Sequence, residues 1–307
     1  MTKYIIHEVG LRDGLQMEKQ IVPTEQKLKW IDAIAAAGVD IIQVGSLVHP
    51  EKVPQMADTD KLFTELTKSK RKNTIFSGLV LNEKGLERGM RCGVELFCMG
   101  VSASETHSQK NTGMSIGEAT GRIISMAQNA AKAGKKVQVS VQSAFGCGYE
   151  GPVPQDRVLG IVQKYLEAGL KKISLADTAG HATPDRVEQL YDAIFNLDDS
   201  VECACHFHNT YGLGLANCYA AMRVGVQNYE SSIAGLGGCP FTKIAGGNVC
   251  TEDFIHLLAR MNLRTDVDLR GLIAVANEVA GNFAHDVSGV IAKTGPIPGI
   301  PVQRTKA

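Results

Sequence analysis

Short runs rich in Val, Ile and Leu alternate along this chain with longer stretches in which apolar residues recur every three or four positions. The short runs read as strands and the longer stretches as helices with one apolar face. A small junction recurs between them: a helix end, a glycine, then a β-rich run. It stands at Ala37-Gly38-Val39, Cys92-Gly93-Val94, Ala133-Gly134-Lys135, Ala168-Gly169-Leu170 and Val224-Gly225-Val226. A glycine supplies the left-handed turn that ends a helix. The gaps between these glycines are 55, 41, 35 and 56 residues, and the two longest each hold two units, with extra turns near Ser69 to Asn73 and Leu197 to Ser200.

The count is therefore eight strands, at about 4–9, 40–45, 74–80, 95–100, 136–142, 172–176, 201–207 and 228–233. Helical patterns lie between them, for example at 24–37, 116–133, 155–168 and 183–196, the last opened by Thr183-Pro184. Alternation of this kind demands parallel strands, and eight such units predict a (β/α)8 TIM barrel. A doubly wound sheet is the competing arrangement. An eighth helix is expected over about 247–261, followed by further helix over 266–289. Nothing reads as an interdomain linker. The expectation is a single catalytic domain over 1–307, with the barrel at about 4–262 and a C-terminal helical extension at about 266–307.

Composition narrows the function more than the fold. Thirty-two Lys plus Arg balance thirty-two Asp plus Glu, so no basic excess is available to neutralise a nucleic-acid backbone. No apolar run reaches the roughly 18 residues needed to cross a bilayer. The eight cysteines are scattered, with no C-x-x-C, and the strand-like run from Tyr4 leaves no room for a leader. They read as reduced thiols, which predicts a cytoplasmic protein.

Barrel active sites sit at the carboxyl ends of the strands, so polar residues just after each strand are the candidates. After strand 1, Arg12-Asp13 lies between Gly10 and Gly14; the pair either faces a cavity or is a solvated turn. Strand 7 ends Cys203-Ala204-Cys205-His206-Phe207-His208-Asn209. Alternation puts His206 and His208 on one face and the cysteines on the other, an arrangement suited to placing two imidazoles on one cation. After strand 8, the Gly235-Leu236-Gly237-Gly238-Cys239 segment is either a flexible loop carrying Cys239 or a phosphate cradle. Asn248 could open the last helix as its cap. Gln43, Gln142, Ser143 and Asp177 complete the set, Asp177 foremost because a carboxylate after strand 6 is expected to face the cavity. His7, His107, His181, His256 and His285 read as structural.

Several of these segments together follow one pattern: Glu8-Val9-Gly10-Leu11-Arg12-Asp13-Gly14-Leu15-Gln16, Val53-Pro54-Gln55-Met56, His206-Phe207-His208-Asn209-Thr210-Tyr211-Gly212, Gly235-Leu236-Gly237-Gly238-Cys239-Pro240 and Gly247-Asn248-Val249-Cys250-Thr251-Glu252-Asp253. The chain resembles the 3-hydroxy-3-methylglutaryl-CoA lyase family, within the metal-dependent lyase and synthase barrels; the synthases lack the cysteine-bearing glycine loop. The resemblance implies a divalent metal, Mg or Mn with Zn also admitted, held by Asp13, His206, His208 and Asn248. It implies catalytic roles for Arg12, which steadies an enolate oxygen, for Cys239, which moves a proton, and for Asp177 and His206. It places an acyl-CoA against Gln16, Gln43, Ser143, Gly237 and Gly238, with Lys19, Lys110 and Lys243 as candidates for the CoA end. It implies a homodimer or higher homo-oligomer and no nucleic-acid or membrane partner. Two positions depart from the pattern: Gln43 stands where typical members carry Glu, and Asn209 where many carry Asp. Each is expected to remove a negative charge from around the metal.

Overall fold

Eight parallel strands close on themselves. In the computed structural model, which describes residues 4–68, 73–238, 247–283 and 289–298, they are β1 (Ile5–Glu8), β2 (Ile41–Ser46), β3 (Ile75–Leu79), β4 (Leu96–Ser102), β5 (Lys136–Gln142), β6 (Lys172–Asp177), β7 (Glu202–Phe207) and β8 (Asn228–Ser231). Each pairs with the next, and β8 returns to β1 with Ile5 opposite Asn228 and Glu8 opposite Ser231. The repeat count of eight and the (β/α)8 barrel are both observed. The five junction glycines all have φ between +76° and +97°, the left-handed region that other residues enter only at a cost.

The helices ring this barrel: α1 (Thr24–Ala36), α2 (Thr59–Lys68), α3 (Glu83–Cys92), α4 (Glu105–Thr112), α5 (Ile116–Lys132), α6 (Gln155–Glu167), α7 (Pro184–Leu197), α8 (Gly214–Arg223), α9 (Thr251–Arg260), α10 (Leu269–Gly281) and the short α11 (Ile291–Thr294). Each long helix buries one stripe. In α6 the stripe is Val158, Ile161, Val162 and Tyr165, spaced three and four apart. Full burial of one such aliphatic side chain contributes about 1.5–3 kcal/mol, so the ring of helices holds the barrel closed. Tyr165 and Tyr191 reach across this layer to donate to the backbone oxygens of Ser140 and Ala204 at 3.1 and 2.8 Å. The C-terminal helices pack back on the barrel, α10 against α1 and α9.

Two boundaries differ from expectation. Strand 8 ends at Ser231 rather than 233, because Ile233–Gly235 forms a tight turn in which Ala234 is forced to φ +57°. The last barrel helix starts at Thr251, not 247, because residues 247–250 run extended beside β7 and β8.

The barrel interior departs from the usual filling of bulky branched side chains. Ile5, Ile41, Ile75 and Leu96 plug the amino-terminal end. Above them the inward positions are His7, Gln43, Ser77, Gln138, Ser174 and Glu230, all buried. Gly100, Ser140, Ser174 and Ala204 lie side by side across β4 to β7, a row of small residues that leaves a hollow.

Candidate active site

The chain leaves β1 in a single π-helical turn, Gly10–Gly14, pressed against the exit of β8. Only glycine fits at its ends: a Cβ on Gly10 would stand 2.6 Å from Glu8 Oε1, and one on Gly14 would stand 2.6 Å from Leu236 Cβ. The turn projects Arg12 and Asp13 into the barrel mouth with side chains 11% and 14% exposed. They are not the solvated turn that spacing alone allows. Arg12 donates from Nε to Gln43 Oε1 and from Nη1 to Asp13 Oδ1.

On β7, alternation places the side chains as expected. Cys203, Cys205 and Phe207 pack into the helix-facing core, and His206 and His208 face inward. The two Nε2 atoms lie 3.1 Å apart, and Asp13 Oδ2 is 3.8 Å from His206 Nε2. One ligand atom from each of Asp13, His206 and His208 falls within 4.8 Å of the others. Asn248 joins them from the extended 247–250 segment, where it bridges to His208 rather than capping a helix. Its Nδ2 donates to Asp13 Oδ2 at 2.9 Å and to Leu236 O at 3.0 Å, while its buried Oδ1 has no hydrogen-bond partner. Gly237, at φ +116°, makes room, since a Cβ there would stand 2.5 Å from Asn248 Nδ2. A carboxylate and two imidazoles within reach of one another, with the orphaned amide oxygen of Asn248 beside them, fit a divalent cation.

The electrostatics favour positive charge at this point. Burial alone would raise the pKa of Asp13, but Arg12 and the two histidines outweigh it and hold the carboxyl well below its usual range. Burial would lower His206, yet its hydrogen bond to Glu230 and the charge of Asp13 shift it upward. Burial and the neighbouring His206 push His208 down to about 4. The same carboxylates that favour a proton on His206 favour a cation beside it.

The cluster opens onto a cavity of about 280 Å³ whose wall includes Gln16, Gln43, Gln138, Gln142, His107 and Gly238. Four described site candidates are not on that wall: Asn248 and Gly237, which pack against each other, and Asp177 and Ser143. Asp177 is in phase with the outward Ile173 and Leu175, and its carboxylate accepts from the N–H groups of His181 and Ala182, holding the turn into α7. Burial lifts it to about 7. Ser143, at φ +54°, redirects the chain after β5, and its N–H donates to Thr178 Oγ1 at 2.9 Å. Cys239 and Lys243 lie outside the described residues, as does His285. Lys110 stacks over the Tyr149 ring at 4.1 Å, and Lys19 is exposed.

The two departures from the family pattern also fall in other places than expected. Gln43 contacts Arg12, and Asn209 Oδ1 accepts from Gly214 N at 3.0 Å, capping α8. Neither contact is made to a candidate ligand. Three residues were missed. His107, read as structural, lines the cavity with a ring that burial shifts below its ordinary pKa. Glu230 and Gln138 line the cavity beneath His206. The signal for both was an inward-phase polar residue within a predicted strand.

Behind the site, Glu8 accepts from the N–H groups of Gly10 and Ile233 at 2.7 and 2.9 Å and from Thr251 Oγ1, tying the Arg12–Asp13 turn to the β8 exit. Glu252 accepts from Ala234 N at 3.1 Å, and its buried Oε1 has no partner. Burial raises Glu8 to about 7 and Glu252 to about 8. Folding therefore favours their protonated forms, and the stability this confers is present in full below the unfolded-state carboxylate range and is lost as pH rises through 7 to 8. The melting temperature is expected to fall between about pH 5 and 8, and Glu252→Gln should flatten that slope. An equally steep slope in the variant would exclude this account.

Comparison with known proteins bears on the same residues. The family model described as HMGL-like matches residues 3–279. The hydroxymethylglutaryl-CoA lyase YngG of Bacillus subtilis is 35% identical over 274 residues, covering 89% of this chain and 91% of that protein. A 3-hydroxy-3-isohexenylglutaryl-CoA/hydroxymethylglutaryl-CoA lyase of Pseudomonas aeruginosa is 36% identical over 272 residues, covering 89% and 90%. Among solved structures, an HMG-CoA lyase from Acinetobacter baumannii in complex with coenzyme A and 3-methylmalate superposes with a TM-score of 0.90 at 32% identity, covering 97% of each chain.

Proposed function

The chain belongs to the HMGL-like family, and from that premise we propose that its barrel mouth cleaves 3-hydroxy-3-methylglutaryl-CoA, or a closely similar 3-hydroxyacyl-CoA, to acetyl-CoA and a 3-keto acid such as acetoacetate. It is a carbon–carbon lyase. The observation that carries this reading is the cluster of Asp13, His206 and His208, with Asn248 hydrogen-bonded to Asp13 and Arg12 alongside.

The reaction breaks C2–C3, turns the tertiary hydroxyl into a ketone with loss of its proton, and leaves a thioester enolate that takes a proton at C2. A divalent cation held by those four side chains would make the tertiary hydroxyl more acidic. Arg12 supplies the fixed positive donor that the enolate oxygen needs. Gln43 and Asp13 take its Nε and Nη1 bonds and so set the plane of the guanidinium. A neutral amide at 43 also leaves the Arg12 charge less compensated than a carboxylate would. His206 is better placed as a ligand than as a base. Its Nδ1 is engaged by Glu230, so a cation on Nε2 leaves no nitrogen for a proton. Asp177 acts through the turn it holds. Cys239 is the proposed proton donor to C2, with Gly237 and Gly238 leading to it.

Mg²⁺ or Mn²⁺ is the proposed occupant, since half the ligand set is oxygen, with Zn²⁺ the competitor that two imidazoles admit. None of the seven described cysteines is joined in a disulfide, which supports a reducing, cytoplasmic setting, and a homodimer or higher homo-oligomer is part of the proposal. No helix among the described residues is long and apolar enough to cross a membrane.

The test is a steady-state assay on a panel of 3-hydroxyacyl-CoA esters with and without Mn²⁺. The methylglutaryl ester should be cleaved, and EDTA should abolish the reaction until Mn²⁺ is restored. A strong preference for a longer branched ester would move the substrate while keeping the chemistry. Release of free CoA from acetyl-CoA and keto acids, without cleavage, would replace the lyase by a condensing synthase.

A further inference from the structure

The barrel interior beneath the candidate ligands holds a charged group that the chemistry above does not use. Glu230 is the β8 register partner of His206, so both side chains enter the lumen at one level. Its Oε2 lies 3.0 Å from His206 Nδ1. Its Oε1 accepts from Gln138 Nε2 at 2.6 Å and lies 3.9 Å from His7 Nδ1. His7 in turn meets Ser77 Oγ through Nε2 at 2.8 Å. His7, Gln138 and Glu230 are at most 8% exposed.

A buried carboxylate is costly unless its charge is answered, and barrel interiors usually avoid the problem with aliphatic side chains. Glu230 meets a polar neighbour at each oxygen, the Gln138 amide at Oε1 and the His206 imidazole at Oε2. An ionised carboxylate only accepts, so the nitrogen facing it must carry the hydrogen. Nδ1 of His206 is thus N–H, and the lone pair of Nε2 is turned toward His208 Nε2 and Asp13. His208 has no such tether, because its buried Nδ1 has no hydrogen-bond partner. The two imidazoles are held unequally.

We propose that Glu230 is a positioning residue for the cation site: clamped by Gln138, it fixes the tautomer and ring plane of His206 and acts through His206 alone. This rests on the reading of Asp13, His206, His208 and Asn248 as a metal site. A purely structural role for Glu230 would affect folding and act equally whichever histidine is present.

The experiment is a double-mutant cycle read by Mn²⁺ affinity, with free Mn²⁺ followed by electron paramagnetic resonance on purified metal-free protein. Glu230→Gln keeps the shape and removes the charge, and it should weaken Mn²⁺ binding by about 10- to 100-fold. The same factor should persist in a His208→Ala background and shrink to near unity in a His206→Ala background. At saturating Mn²⁺ the KM for the thioester should stay at the wild-type value. Equal losses in the two histidine backgrounds, or an affinity within about twofold of wild type against that expected range, would overturn the proposal. If Glu230→Gln fails to fold, Gln138→Met, which removes only the clamp, should lower Mn²⁺ affinity less but with the same dependence on His206; its absence there overturns the proposal equally. Failure of the lyase reading looks different: Mn²⁺ binds with the predicted coupling, yet no thioester is cleaved.

Discussion

Arg12→Ala is expected to lower turnover of the methylglutaryl thioester by roughly two to three orders of magnitude while leaving Mn²⁺ binding in place. The size follows from removing one fixed donor at a developing oxyanion, about 3 kcal/mol of barrier. The persistence of metal binding follows from geometry. Arg12 contacts Asp13 and Gln43 but none of the two imidazoles or Asn248, and a guanidinium beside Asp13 competes with a cation for that carboxylate. Its loss should leave affinity unchanged or slightly higher. Arg12→Lys should fall between, because an ammonium restores charge without the fork that Gln43 and Asp13 hold in plane. Single-turnover rates with titrated Mn²⁺ separate the two effects. Full activity in Arg12→Ala would remove the oxyanion role altogether.

Sequence patterning reached furthest where a residue's role follows from strand phase. His206 and His208 share a face because residues two apart on a strand do so, and the structure places them there. The same rule, applied to Asp177, would have turned it away from the cavity, since it is in phase with Ile173 and Leu175; treating it as a residue after the strand hid this. Ser143 was misjudged for the same reason, being one position past the inward Gln142. Glu230 and Gln138 stayed unread because inward polar residues deep in a strand contradict the usual aliphatic filling, and their meaning appears only when β5, β7 and β8 are brought together. The position of Asn248 depends on residues 247–250 pairing as an extended segment against β7, a non-local event that local capping preference cannot anticipate. The contacts of Gln43 and Asn209 are tertiary in the same sense: one answers Arg12 from 31 residues away, and the other caps a helix.

Asp13→Asn should have the most severe effect, and for a reason distinct from Arg12→Ala. Asp13 is the hub of the mouth: Arg12, Gln16, Asn248 and His206 all approach its two oxygens. The substitution preserves shape, so the barrel should still close. It removes the single formal negative charge in the four-residue set, leaving two imidazoles and two amides beside the cationic Arg12. That arrangement repels a divalent ion, and activity should fall below detection with Mn²⁺ affinity. Thermal melting gives a reading independent of turnover. A ligand that binds only the folded state stabilises it by about 2.7 kcal/mol at a hundredfold excess over its Kd. Mn²⁺ should therefore raise the melting temperature of the wild type and of Arg12→Ala, and leave that of Asp13→Asn unmoved. Were Mn²⁺ to protect Asp13→Asn as it protects the wild type, the cation would have to be held elsewhere, and the mouth of the barrel would lose its claim to the chemistry.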